Sequence, residues 1–419
     1  MHGRIPFIAF GMTHCGKSLL WAGTDALSLF VLIKIVQLPP LWAGILFVLS
    51  SFWNAIGDGL WGRTLERTPM IRAALPGLCA LASILACLSF AILPWLTAGS
   101  AIMATIALVL FRTTFSLLDV PHNATAAALA NMHGHLVVAR LRAILGSASS
   151  IVVAAAVLPM LGQSPVAVTA ARTMFVAIAM IACILLAPLP WLVRTARQGD
   201  ITLPQGGTVA FGKRPRRALA AFCFVQMLGF AALASMGKAV LHADALHSWL
   251  LDYALLLLSV LRLAAIGFWS PLATRIGSPA ALSCAYAANA VAVLALPIAI
   301  GQGTVSTIVV LSALGMSIGG VGLLAWSAFS ELLSRLGLEG NQAMAARSYG
   351  WFTAMSKIGL GFSGLLTGAW LSQQAGALTE QSLWPLVVLV AALCLISALM
   401  GWPGWNGGAK WMFGRFWRA

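Results

Sequence analysis

The chain has 419 residues, of which 60% are hydrophobic and only 8% are charged, and its formal net charge is +15. A water-soluble protein of this size is excluded, because it would need far more polar residues to cover its outside. The positive charges are scattered between apolar stretches instead of forming one basic patch, so nucleic acid is excluded as a partner.

The apolar residues form stretches of about 20, the length at which an α-helix crosses ~30 Å of hydrocarbon. The alternation of polar and apolar residues that a membrane barrel needs is absent. Because backbone polar groups in a bilayer must be satisfied within the segment, each stretch is predicted to be a helix. We therefore predict an all-α polytopic membrane protein with twelve transmembrane helices, at about 6–36, 41–62, 73–95, 99–120, 143–162, 172–193, 218–240, 247–269, 279–300, 304–330, 348–371 and 384–402.

The basic residues predict how these helices are oriented. They follow alternate spans, as Arg63 and Arg67 do after the second and Arg140 after the fourth, and Lys410 and Arg415 lie in the C-terminal tail. Loops rich in Lys and Arg stay in the cytoplasm, so both termini are predicted to be cytoplasmic. The N-terminus runs directly into a full-length span without the pattern of a cleavable signal. The predicted location is a multi-pass position in a cell membrane, and a bacterial inner membrane is favoured.

The most polar stretch of the chain lies near its middle. It reads "RTARQGDITLPQGGTVAFGKRPRR" and combines Gly and Pro breakers with a cluster of basic residues. We predict an N-terminal six-helix bundle over 1–193, a cytoplasmic linker over 194–217, a C-terminal six-helix bundle over 218–403 and a cytoplasmic tail over 404–419. Repeated six-helix halves place a transport site near the bilayer midplane, between halves that rock around it.

Nine ionisable residues fall within the predicted spans. Such residues usually face the interior of a helix bundle and mark substrate or ion paths. For Arg112, Asp252 and Arg262 the alternative is an ion pair that only holds helices together. Asp25 and Lys238 lie near predicted span ends, where a side chain that reaches towards water is the simpler interpretation. The nine residues are Lys17, Asp25, Asp58, Arg112, Asp119, Lys238, Asp252, Arg262 and Lys357.

Helical spacing groups several of these residues on shared faces. Lys17, Trp21 and Asp25 follow one another at intervals of four, which places them on one side of a helix. Asn54 and Asp58 are also four residues apart. A single carboxylate in hydrocarbon costs roughly 2.5–3.5 kcal/mol on insertion scales, so Asp58 needs a partner, a wet cavity or a role.

The stretch "DVPHNATAAALAN", residues 119–131, contains a further candidate site. Asp119 shares a helix face with Arg112 and precedes Pro121, which loosens a helix and frees carbonyl groups. His122 is able to carry a proton near neutral pH, although a hydrogen-bonded structural histidine fits equally well. Asp119 is the predicted substrate contact.

Aromatic residues and missing motifs narrow the function class. Most of the sixteen Trp residues are expected at the membrane interfaces. Trp21, Trp53, Trp326 and Trp351 are candidate surfaces on which a sugar or a lipid headgroup stacks. The sequence contains no nucleophile elbow, no metal-spaced His and Cys set and no phosphate-binding loop, so no enzyme activity, cofactor or metal site is predicted.

Four stretches resemble the glycoside–pentoside–hexuronide:cation symporters, a branch of the major facilitator superfamily. "AFGMTHCGKS", residues 9–18, resembles the opening of the family's first helix, and "FWNAIGDGLWGRTLERT", residues 52–68, its second-helix signature. "SLLDVPHNATAAAL", residues 116–129, resembles the fourth-helix signature. "SELLSRLGLEGNQAMAARSYGWFTAMSKIGLGFSG", residues 330–364, resembles the loop before the eleventh helix and that helix. The resemblance implies a twelve-helix fold and transport by alternating access.

The resemblance also implies roles for single residues. Asp58 matches the carboxylate that binds the coupling cation, and Asn54 matches its helical neighbour. Asp119 matches a carboxylate that hydrogen-bonds sugar hydroxyls, and Arg142 matches an arginine near that site. Lys357 matches the eleventh-helix lysine near the cation site.

Several positions depart from the family pattern. Ser18 stands where sugar transporters carry a sugar-binding Asp, and His122 and Asn123 replace aromatic residues after the proline. Gly59 replaces the proline after Asp58. These departures weaken the case for a sugar, and because a related branch of the same fold moves lysolipids, a lipid-like substrate remains an alternative.

The sequence thus predicts a secondary transporter that moves a small polar or amphipathic solute together with a cation. A proton is favoured over sodium, because sodium needs several oxygen ligands and Asn54 adds an oxygen but no charge beside Asp58. A single carboxylate in low dielectric also holds a proton near physiological pH more readily than one in water. The alternatives are a membrane scaffold that kept the fold without transporting, and a lysolipid transporter.

The predicted partners are the solute, the coupling cation (H⁺ or Na⁺) and the lipid bilayer, with the protein as a monomer. The predicted substrate-binding residues are Lys17, Ser18, Trp21, Asp119, His122, Asn123, Arg142 and Trp351. The predicted cation-coupling residues are Asn54, Asp58 and Lys357.

Overall fold

The structure, a computed structural model, describes residues 4–95, 101–158, 165–199, 213–241, 249–338, 342–373 and 380–401. Within these ranges the chain forms helices and no strands. The first seven helices are α1 (Arg4–Phe30), α2 (Pro40–Arg67), α3 (Pro69–Ile92), α4 (Ala101–His133), α5 (His135–Val157), α6 (Pro165–Leu186) and α7 (Leu189–Gly199). The remaining six are α8 (Lys213–Leu241), α9 (Trp249–Ile276), α10 (Ser278–Gln302), α11 (Thr304–Arg335), α12 (Gln342–Ser372) and α13 (Glu380–Gly401).

Twelve helical segments are long enough to cross a bilayer. Eleven of them, among the described residues, are also apolar enough by composition, and α6 and α7 count as one span because only a two-residue turn separates them. The twelfth is α12, whose 31 residues include Arg347 and Lys357. The predicted all-α polytopic fold is confirmed.

Among the helix ends, those of α4 and α5 differ most from the prediction. The fourth span was expected to end near residue 120, but α4 continues through Pro121 to His133. The fifth was expected to begin near residue 143, but α5 begins at His135, directly after Gly134 with φ of 90°. Proline lacks an N–H and disfavours a helix interior, yet α4 continues without interruption into the alanine-rich stretch that follows Pro121.

Helices α1–α7 and α8–α13 are called the first and second halves below. One hydrophobic core is drawn mainly from the second half and contains Tyr286 and Phe329, and another is drawn mainly from the first half and contains Phe90 and Phe175. The halves meet where α2 packs on α12 and where α5 packs on α9 and α11. Linker residues 200–212 and tail residues 402–419 lie outside the described ranges, so the predicted domain division remains a prediction.

Glycines bring α2 and α12 together over their whole length. A Cβ atom at Gly368 would lie 2.6 Å from the carbonyl oxygen of Pro40, and one at Gly350 would lie 2.8 Å from the carbonyl oxygen of Asp58. Between these points, a Cβ at Gly361 would lie 2.7 Å from Ser51 Cβ. Small residues permit such close approach in membrane proteins. The close contact holds Asp58 beside the second half of the molecule.

Candidate functional site

A cavity of about 360 Å³ lies between the two halves. Helices α1, α4 and α5 form its wall on one side, and α8, α9, α11 and α12 form it on the other. Helices contribute to the wall through residues spaced three or four apart, as Arg142, Gly146 and Ser150 do on α5. The predicted stripe of Lys17, Trp21 and Asp25 on α1 also faces this cavity.

Asp119 is the centre of a buried hydrogen-bond network in this wall. Its Oδ1 atom accepts hydrogen bonds from Lys17 Nζ and from Asn123 Nδ2, both at 2.8 Å. Lys17 Nζ also donates to Asn123 Oδ1 at 2.8 Å. Asp119 and Lys17 are each 5% exposed. The ion pair between them therefore compensates for the hydration that both charged groups lose on burial.

Lys357 on α12 connects the two candidate carboxylates. Its Nζ atom lies 2.8 Å from Asp119 Oδ2, and it lies 2.8 and 2.6 Å from the two oxygens of Asp58. Asp58 is fully buried and Lys357 is 3% exposed. One ammonium from the second half therefore binds two carboxylates that α2 and α4 contribute from the first half.

Arg142 extends the network at its other side. Its Nη2 atom donates to Asn123 Oδ1 at 3.0 Å, and the centre of its guanidinium lies 3.6 Å from the centre of the Trp326 ring. Stacking on an aromatic face fixes the plane of a guanidinium and leaves its in-plane N–H groups available. Trp326 comes from α11, so this contact also joins the two halves.

Most of the predicted substrate-binding residues line the cavity, but two do not. Trp351 lies off the face of α12 that carries Thr353 and Lys357, and its ring lies 5.5 Å from the Arg347 guanidinium. His122 is fully buried and stacks on Phe10 and His14. His14, which was not predicted as a site residue, lines the cavity. The predicted residues that line the cavity are Lys17, Ser18, Trp21, Asp119, Asn123, Arg142 and Lys357.

The two other predicted cation-coupling residues lie just behind the cavity wall. Asp58 reaches the wall through Lys357, as described above. Asn54 Oδ1 accepts a hydrogen bond of 2.6 Å from Ser116 Oγ, so this oxygen binds a hydroxyl on α4. Both residues are fully buried.

One interpretation based on a single charged residue is wrong. Lys238 does not reach towards water: its side chain is 3% exposed and its Nζ atom lies 2.9 Å from Asp25 Oδ1. Arg112 and Asp119 were predicted to share a helix face, and the carboxylate of Asp119 binds Lys17 and Lys357. The Arg112 guanidinium lies over Trp21 at 5.1 Å, and its nitrogens have no hydrogen-bond partner among the described residues. Helical spacing could not reveal these pairs, since their members lie on different helices. The side chain of Asp252 lies outside the described part of the chain.

Several residues that line the cavity could not be named from the sequence. Hydroxyl side chains at Ser147, Ser150, Ser259 and Ser356 face the cavity. A serine in the sequence is a weak indication of a binding site, because serine also packs well between membrane helices and often donates a hydrogen bond to a carbonyl of its own helix. Arg262 was noted only as an ionisable residue, and it lines the cavity and donates from Nη1 to Ser150 Oγ at 3.5 Å.

The chain is similar to known transporters. A family model described as MFS/sugar transport protein matches residues 9–403. The solved structure of the nucleoside transporter NupG matches with a TM-score of 0.62 at 14% identity, covering 94% of this chain and 97% of that chain. A bacterial homologue of the human drug peptide transporters PepT1 and PepT2 matches with a TM-score of 0.60 at 14% identity, covering 95% of this chain and 96% of that chain. A comparison with curated protein sequences finds no match.

These findings confirm the predicted family resemblance and the predicted fold. At such low identity the two solved structures show the fold alone. The family model carries more, because it covers nearly the whole chain. The protein belongs to the MFS/sugar transport protein family and is a membrane transporter of the major facilitator type, not an enzyme.

Proposed function

We propose that this protein is a secondary active symporter, which couples a proton to the movement of a small polar or amphipathic solute by alternating access. One observation carries the proposal: the Lys357 ammonium binds Asp58 and Asp119 at the same time. Asp58 is enclosed on α2, whereas Asp119 lines the cavity. A change of charge at the first carboxylate therefore reaches the solute site through one side chain.

The proposed coupling begins with a proton on Asp58. The neutral acid binds an ammonium less strongly than the carboxylate does, so Lys357 shifts towards Asp119 and the cavity. The charged groups that surround Asp58 are Lys357 from α12 and Asp119 and Arg112 from α4. Loss of the proton restores the Asp58–Lys357 bond, and with it a contact that joins the two halves.

The surroundings of Asp58 support a proton over sodium. Sodium requires several oxygen ligands held together, but both oxygens of Asp58 lie within 2.8 Å of the Lys357 ammonium. The Asn54 oxygen binds Ser116. An internal ammonium therefore occupies the position that a metal cation would need, whereas a proton requires only one carboxylate oxygen.

The proposed setting is a bacterial inner membrane, with the protein as a monomer and both termini in the cytoplasm. The positive-inside distribution of Lys and Arg supports this orientation. It places the end of the bundle that holds His135 on the cytoplasmic side and the end that holds Lys238 outside. The two predicted six-helix bundles, 1–193 and 218–403, would then rock around the cavity, as in other transporters with repeated halves.

Two experiments in sequence test the proposal. A thermal-shift screen of the purified protein against glycosides, sugar acids and lysolipids selects a ligand, because a ligand that binds only the folded state raises the unfolding temperature. Uptake of the selected labelled ligand into proteoliposomes is then measured under a proton gradient, a sodium gradient or neither, for the wild type and Asp58→Asn.

We expect the proton gradient to drive accumulation by the wild type, and Asp58→Asn to allow only equilibration of the ligand. Sodium-driven accumulation that the substitution removes would keep Asp58 as the coupling site but reject the proton. Equal uptake by both proteins under every gradient would show a facilitator in which Asp58 is structural. No uptake of any ligand that binds would support the scaffold alternative.

A further inference from the structure

The cavity wall carries more positive than negative groups. Among its described lining residues, the carboxylates are Asp25 and Asp119, and Asp58 adds one more from behind the wall. The cationic lining residues are Lys17, Arg142, Lys238, Arg262 and Lys357. Counted over the residues that the structure describes, positive charges therefore outnumber carboxylates by two. Surplus charge in a low-dielectric site is unfavourable unless a counter-charge enters it.

The surplus coincides with hydrogen-bond donors that have no acceptor. Arg142 is 5% exposed, and its Nε and Nη1 atoms have no partner among the described residues. Arg262 Nε also has no hydrogen-bond partner among the described residues. Each of these groups belongs to a side chain that lines the cavity. Guanidinium donors are well suited to a carboxylate or phosphate group, which supplies several acceptor lone pairs at once.

The rest of the wall is suited to a different part of a ligand. Apolar side chains also face the cavity, on helices that carry cationic residues as well: Phe230 and Leu233 on α8, Leu258 on α9 and Leu360 on α12. Apolar side chains there favour burial of an apolar group. The cavity thus offers both cationic and apolar groups to one ligand.

We propose that the transported solute is a compact amphipathic organic anion, whose acidic head group binds Arg142 and whose apolar body lies against Phe230 and Leu258. This inference rests on the proposed symport and names its substrate class. A volume of about 360 Å³ is at the lower end of ligand pockets, which fits a compact solute better than a long-chain lysolipid.

An anion also explains how proton and solute binding support each other. A proton on Asp58 adds one positive charge to the network that contains Lys357, Lys17 and Arg142. The bound anion offsets that charge, so each ligand raises the affinity for the other by the same factor. A neutral solute would give no such electrostatic linkage.

Matched pairs of probes test the proposal on the purified full-length protein in detergent. The probes are 4-phenylbutyrate with its amide, and hexyl phosphate with hexanol, and binding is measured by thermal shift and calorimetry. We expect the acid of at least one pair to bind at least tenfold more tightly than its neutral partner. Acetate and inorganic phosphate, which have a head group but no apolar body, should bind weakly. Equal binding of acids and neutral partners, or no binding of either acid, would overturn the proposal.

Substitutions in the cavity locate the head group. Arg142→Gln should weaken binding of the acid that binds best by about 10- to 100-fold, as for a lost charge-assisted hydrogen bond. Arg172→Gln is the matched control, because Arg172 lies over Trp95 at 4.8 Å and is not among the cavity residues. If Arg142→Gln does not fold, Arg262→Gln provides the same test in the same direction. Wild-type affinity in both cavity variants would contradict the assignment.

Asp58→Asn separates this proposal from the proposed coupling. Because the substitution removes a negative charge beside Lys357, the variant should bind the acid at least as tightly as the wild type at pH 7.5. Weaker binding would contradict the anion proposal. Acid binding by the wild type without proton-driven uptake would keep the anion site and reject the coupling, whereas loss of that uptake in Asp58→Asn alone is the result that the coupling predicts.

Discussion

At the scale of single residues, Asp119 holds the site together. An ionised carboxylate offers about four acceptor positions. Lys17, Asn123 and Lys357 engage three of them. One position remains for a solute hydroxyl or a water molecule. Asp119 is therefore able to contact the solute, as predicted, while it also positions two ammonium groups.

Asp119→Asn should destabilise the protein strongly. The amide leaves the Lys17 ammonium without a carboxylate and removes one of two carboxylates from Lys357, and an uncompensated buried charge costs about 3–5 kcal/mol. Thermal unfolding in detergent measures the effect. Asp25→Asn is the control, since Asp25 is more exposed and binds Lys238, and its loss should be smaller. Equal losses in the two variants would reject this account of Asp119.

The sequence predicted which residues form the site but not how they pair. A charged residue within an apolar span is conspicuous, which is why Lys17, Asp58, Asp119 and Lys357 could be named at once. Their partners could not be named, because Lys17 and Asp119 are 102 residues apart and Asp58 and Lys357 are 299 apart. Helical periodicity reports the faces of one helix and carries no information about which faces meet. Trp351 shows the same limit, since its neighbours on α12 line the cavity and it does not.

At the scale of helices, the contact of α2 with α12 sets the distance between Asp58 and Lys357. Gly350 lies two helical turns before Lys357 and packs against the backbone of Asp58 itself. Because backbone atoms cannot rotate away as a side chain can, a larger residue there must separate the two helices. This contact could not be predicted from sequence, because its glycines lie in different halves of the chain.

Gly350→Ala should therefore destabilise the protein by about 1–3 kcal/mol, the usual cost of overpacking. Gly59→Ala is the matched control on α2, one residue from Asp58, where a Cβ would meet nothing within 4 Å. Alanine favours a helix over glycine by about 1 kcal/mol, so the control should be neutral or stabilised. Unfolding temperatures of the two variants provide the comparison, and a stabilised Gly350→Ala would contradict the proposed role of the contact.

At the scale of the whole molecule, the two halves touch on both sides of the cavity. On one side, His135 Nδ1 lies 2.8 Å from Ser330 Oγ, and Arg140 Nε donates to Ser270 Oγ at 2.9 Å. On the other side, Lys238 binds Asp25. Contacts at both ends are typical of a closed form in alternating access, in which a solute is enclosed before either end opens. Each set of contacts then opposes opening at its own end.

Lys238→Gln should make the closed end that holds Asp25 open more often. The lost pair is partly exposed at Asp25, so we expect a shift of about 1–2 kcal/mol, or a 5- to 30-fold larger open population. Ser259→Cys, introduced into the cavity wall of a cysteine-free variant, reports opening through its rate of labelling by a bulky water-soluble thiol reagent. Detergent-solubilised protein makes the result independent of membrane orientation. Arg335→Gln, which removes an ion pair with Glu331 within α11, should leave the rate unchanged. A labelling rate in Lys238→Gln equal to that of this control would show that the Asp25–Lys238 pair does not hold the cavity closed.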